Sequence, residues 1–92
     1  MKPIKVIDLF KTSLGDIAIL EFPDKTYPSV KMILKNSDAM AWEIHQVGRN
    51  AKFLKSDLYK NVAKPERVWD CNIKPIGHHT LIKIGDELYM EG

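Results

Sequence analysis

"AMAWEIHQVG", residues 39–48, reads two ways, and the fold class turns on the choice. As a strand it alternates, with Met40, Trp42 and Ile44 on one face. As a helix it offers a stripe of Met40, Ile44 and Val47, with Ser37 or Asp38 as N-cap and Gly48 as C-cap. Trp, Ile and Val suit a pleated, half-buried surface, and the polar turn "KNSD" (35–38) precedes them. The strand is therefore the preferred reading.

Toward the N-terminus, "IKVIDLF" (4–10) is rich in β-branched and aromatic residues. Ile4, Val6, Asp8 and Phe10 share one face, and Lys5, Ile7 and Leu9 the other. If the first face is the core, Asp8 is buried and needs a partner. If the second is, Asp8 is an ordinary solvated carboxylate. "KTSLGD" (11–16) has turn chemistry, and "IAILEF" (17–22) is a second strand. The two predict a hairpin with a loop slightly longer than the tightest type. "PDKTYP" (23–28) is a loop bounded by prolines, and Val30, Met32 and Leu34 then alternate as a strand.

Toward the C-terminus, residues 49–67 form a long polar loop, with a helical turn over "KSDLYKNV" (55–62) that Pro65 stops. "RVWDCNIKPI" (67–76) has the cleanest alternation, placing Trp69, Cys71 and Ile73 inward and Asp70, Asn72 and Lys74 outward. "GHHT" (77–80) turns the chain, and "LIKI" (81–84) begins a final strand pair. Gly85-Asp86 bends that pair sharply, so that residues 88–90 close a seam. Six or seven short strands over residues 1–92 predict a single all-β domain, a small closed or partly open β-barrel.

Composition narrows the function classes. Apolar residues at 45% and charged residues at 28% are globular values, which excludes wholesale disorder. Cys71 is the only cysteine, so no intrachain disulfide forms and a reducing compartment fits. Charge interrupts the apolar residues near the N-terminus, as it does not in a signal peptide. No apolar run approaches the ~20 residues that span a bilayer. A soluble, cytoplasmic chain without membrane contact is expected.

Catalytic and metal signatures are weak. His45, Cys71, His78 and His79 lack paired zinc-ligand spacing, and adjacent histidines in a turn point apart. Cys71, on an apolar face, packs as a small hydrophobe rather than an activated thiolate. No G-x-S-x-G elbow occurs, and the acidic residues are scattered. Trp42 and Trp69 belong to the core rather than to a ligand platform. The expectation is a binding module with no enzyme activity, metal or cofactor.

Charge distribution points to where binding occurs. Residues 49–67 hold six basic residues (Arg49, Lys52, Lys55, Lys60, Lys64, Arg67) and two acidic ones, a segment charge of +4 in a chain of +2. Phe53 and Tyr59 are interleaved, as stacking residues are in proteins that bind single-stranded nucleic acid. A solvated lysine-rich loop folded back on the barrel is the plainer alternative. The expected ligand-binding residues are Arg49, Lys52, Phe53, Lys55, Tyr59, Lys60, Lys64 and Arg67, and the expected partner is RNA or a protein. A protein-interaction module or homodimer without nucleic-acid binding is the rival expectation.

Three stretches carry a family resemblance: "VIDLFKTSLGDIAILEF" (6–22), "MAWEIHQVG" (40–48) and "VWDCNIKPIGHHTLIKIGDEL" (68–88). In this order they resemble the opening hairpin, middle strand and closing part of the β-barrel that forms the second domain of translation GTPases such as elongation factor Tu. The sequence departs from that pattern at "PDKTYPSVKM" (23–32), where the family has a glycine-rich segment. A G-x-x-x-x-G-K-[ST] loop is also missing. The resemblance implies a barrel fold and a habit of binding RNA or proteins. It implies no GTPase activity.

Overall fold

In the computed structural model, which describes residues 2–13, 15–51, 64–77 and 82–90, the ambiguous stretch is extended from residue 41 onward. Six strands follow one another: β1 (Ile4–Thr12), β2 (Gly15–Glu21), β3 (Ile33–Lys35), β4 (Ala41–Asn50), β5 (Val68–Ile76) and β6 (Glu87–Met90). They close into an antiparallel barrel in the order β1-β2-β5-β4-β3-β6, with β6 returning to β1. The fold is all-β. Ile4, Val6, Ala18, Leu20, Leu34, Trp42, Ile44, Cys71, Ile73 and Leu88 fill the interior.

The two possible faces of β1 are reconciled by a bulge. Val6 pairs with Leu20 and Asp8 with Ile19, so Ile7 has no opposite residue. The inward series therefore runs Ile4, Val6, Leu9, while Ile7 turns outward onto a second apolar cluster with Ile17, Ile19, Ala51 and Val68. Asp8 is half-buried, and its carboxylate accepts the Leu9 N–H at 2.8 Å. β4 has the same device at His45, between Ile44 opposite Ile73 and Gln46 opposite Asn72. Trp42, Ile44 and Val47 thus all pack on the interior.

Several expectations are corrected. Thr12 pairs with Gly15, which leaves two residues in the first turn and puts Gly15 and Asp16 in β2. The loop is therefore of the tightest hairpin length. The strand expected from Val30 shrinks to Ile33–Lys35. Lys31 has φ +73°, outside strand geometry, and Val30 is exposed. Arg49 and Asn50 belong to β4 rather than to a loop. Pro65 begins a 3-10 turn (Pro65–Arg67), a first helical position where proline loses no hydrogen bond. The expected helical turn over 55–62 lies outside the described residues. Ile82 and Lys83 are not strand, so the final pair reduces to β6 alone among the described residues.

The expected alternation of β5 holds: Cys71 and Ile73 are buried and Trp69 packs against the same interior. The seam also closes as expected. β6 pairs with β1 through Ile4–Leu88 and with β3 through Leu34–Met90. Gly85 donates its N–H to the Val6 carbonyl at 2.8 Å, and Val6 donates to the Asp86 carbonyl at 2.9 Å. Gly85 adopts φ +93° with open space where a side chain would stand, so its requirement is purely conformational.

Two outcomes follow from this core. Gly85→Val should lower stability by about 1–3 kcal/mol in denaturant unfolding, from backbone strain alone. Burial, followed by the charge of Asp70, pushes the Cys71 thiol up from 9.0 to about 12. The unfolded thiol ionises first as pH rises, so stability should be intact below pH 9.0 and fall between there and about 12. Native Cys71 should resist thiol reagents until denaturant is added.

Candidate functional site

β4 contains a second irregularity where it meets β5. Val47 faces Cys71 and Asn50 faces Trp69, so Gly48 and Arg49 together oppose the single residue Asp70. A bulge leaves backbone groups without ladder partners, and here a side chain takes one over. The Asp70 carboxylate accepts the Arg49 N–H at 2.7 Å. It lies directly over Gly48, where a Cβ would overlap it. Gly48 thus leaves room for the Asp70 carboxylate and has no unusual backbone angle.

One residue further, Asn50 is buried at 2% exposure. Its side-chain amide donates to the Glu66 carbonyl at 2.8 Å and to the Val68 carbonyl at 3.2 Å. Beside it, Ala51 packs against Ile19 and Val68. These contacts fasten both ends of the basic segment 49–67 at one pole of the barrel. The strands dictate this, because antiparallel β4 and β5 put residue 50 next to residues 66–69.

A hollow of about 450 Å³ opens at that pole. The loop 23–27 forms one wall, and Asn50, Glu66, Arg67 and Trp69 form the other. The loop is held by the Thr26 N–H donating to the Pro23 carbonyl at 3.1 Å, and Lys25 takes φ +62°. Phe22 donates its N–H to the Arg67 carbonyl at 2.8 Å, which fixes the facing wall. Across the hollow the Arg67 guanidinium lies 3.5 Å from the Asp24 carboxylate. Trp69 is half-buried and Tyr27 is 68% exposed.

Of the expected binding residues, the structure places three. Arg67 lines the hollow, Lys64 is exposed just ahead of the 3-10 turn, and Arg49 is exposed on the bulge. Lys52, Phe53, Lys55, Tyr59 and Lys60 lie outside the described residues. Sequence reading missed Asp24, Lys25 and Tyr27, which belong to a segment read only as a connecting loop. It also missed the anchoring by Asn50 and Asp70. The one available signal was "DKTY" (24–27), which pairs charge with an aromatic between two prolines. Trp42 is in the core as expected, and Trp69 packs against it as expected while also lining the hollow.

Among the described residues, no three His, Cys, Asp or Glu side chains converge to hold a metal ion. His78 and His79 lie outside the described residues, and His45 faces Glu43 at 2.9 Å on the surface. No described helix is long and apolar enough to cross a membrane. No protein-family model, curated protein or solved structure matches the chain.

Gly48→Ala should cost about 1 kcal/mol or less, because the Asp70 carboxylate swings aside and water takes over the exposed Arg49 N–H. Combining it with Asp70→Ala should cost less than the sum of the two single changes, because the clash is then gone. Urea unfolding of the four proteins measures that coupling.

Proposed function

We propose that this chain is a non-catalytic RNA-binding barrel, of the kind implied by its resemblance to the second domain of translation GTPases. The observation that carries the reading is the anchoring of the +4 segment. Both of its ends are fastened at one pole, beside a hollow with two aromatic residues. A run of cations along the segment attracts phosphates, and the aromatics interleaved with it can stack on unpaired bases. Lys52, Lys55, Lys60 and Lys64 supply phosphate attraction, Arg49 and Arg67 flank them, and Phe53 or Tyr59 adds stacking. The buried, unactivated thiol of Cys71 supports a binding role over a nucleophilic one. A single free cysteine also suits a cytoplasmic setting.

The test is a titration of labelled single-stranded RNA at low and moderate salt. The wild type should bind at low salt and weaken as salt rises, by about 0.7 in log–log slope for each phosphate contacted. A variant with Lys52→Glu, Lys55→Glu and Lys60→Glu should bind markedly more weakly. Absence of wild-type binding at low salt, or equal binding by the variant, sinks this reading. The protein-interaction module or homodimer then takes its place.

A further inference from the structure

We infer that the hollow between the loop 23–27 and the Pro65–Arg67 turn receives one unstacked nucleotide of a single-stranded RNA, with Asp24 occupying Arg67 until the phosphate arrives. This rests on the RNA-binding reading and adds a specific subsite to it. That subsite lies largely outside the residues that charge patterning alone selects.

The charges within the hollow cancel: Lys25 and Arg67 against Asp24 and Glu66. A cavity without net charge suits a neutral, flat group rather than a phosphate in its depth. Its volume of about 450 Å³ leaves room for a base. Tyr27 on one wall and Trp69 on the other provide aromatic surfaces, and stacking on such surfaces tolerates any base. Arg67 and Lys25 line the same hollow, so a base lying within it brings its own phosphate near a cation.

Asp24 controls that cation. Its carboxylate stands 3.5 Å from the Arg67 guanidinium, and it is well exposed, with 67% of its side chain accessible. An exposed ion pair of this kind is weak and exchanges readily. A backbone phosphodiester carries the same single charge, but it can offer the guanidinium two oxygens where Asp24 makes one contact at 3.5 Å, and so competes for it. Meanwhile the Arg67 backbone stays fixed by the Phe22 N–H, so only side chains need to move. In the free protein Asp24 screens Arg67 and lowers attraction to other anions.

Titration of labelled single-stranded RNA, with intrinsic fluorescence recorded in parallel, tests this on the intact chain. Trp42 is 2% exposed, so quenching on RNA addition reports Trp69. Asp24→Asn should tighten binding several-fold at low salt. It should do so more than Asp38→Asn, which removes the same charge from the exposed 36–40 turn. Tyr27→Ala should weaken binding roughly tenfold and leave the salt slope unchanged, since stacking releases no counterions. Arg67→Gln should weaken binding and reduce the slope by about 0.7. Tyr27 and Asp24 are exposed, so their variants remain folded. If the wild type binds RNA but Tyr27→Ala and Arg67→Gln bind equally well without tryptophan quenching, the hollow is not the subsite, and the broader reading survives. Equal effects of Asp24→Asn and Asp38→Asn overturn the screening role of Asp24. A wild type that binds no RNA removes both the subsite and the reading beneath it.

Discussion

The barrel rests on one geometrical constraint. Six strands must curve enough for the four-residue β6 to hydrogen-bond with both β1 and β3, while apolar side chains keep pointing inward. A strand that alternates strictly resists such bending. Each extra residue at a bulge bends the strand, increases its twist and reverses which residues face inside. Ile7 does this in β1, and His45 and the Gly48-Arg49 step do it in β4. The interior is thus lined at intervals of two and then three residues: Ile4, Val6, Leu9 and Trp42, Ile44, Val47. With that curvature, Leu88 and Leu34 reach full burial on adjacent strands.

The same bulges create obligations that polar side chains meet. Asp70 and Asn50 satisfy backbone groups that the ladder leaves out, and in doing so fix the exit and return of the basic segment. Beneath them β2 is apolar on both faces. Ala18 and Leu20 point into the barrel, and Ile19 and Val68 belong to the second cluster. This explains why "IAILEF" is nearly continuous in apolar residues instead of alternating.

Much of the architecture was legible from local chemistry. The alternation of Trp69, Cys71 and Ile73 reads correctly because β5 has no bulge within it. Gly85 reads correctly because a Gly-Asp step between apolar runs favours a positive φ, and Asn36 in "KNSD" nucleates the expected turn by accepting the Asp38 and Met40 N–H groups. The helix-like spacing of Met40, Ile44 and Val47 is itself a product of the bulge at His45. An inserted residue turns a period of two into an interval of three, which mimics a helical stripe.

The sequence by itself determined that this chain is all-β, which residues of its regular strands face inward, and which segment concentrates positive charge. Propensity, alternation and charge act between near neighbours, so they are written locally. Only the tertiary structure decided that β2 lies beside β5, that Arg49 and Asn50 end a strand, and that Asp24 and Tyr27 face Arg67 and Trp69. Those juxtapositions join residues roughly forty to sixty positions apart, and they arise from barrel closure. Closure selects among strand orders by the burial of the whole apolar set, a quantity that no single stretch of sequence contains.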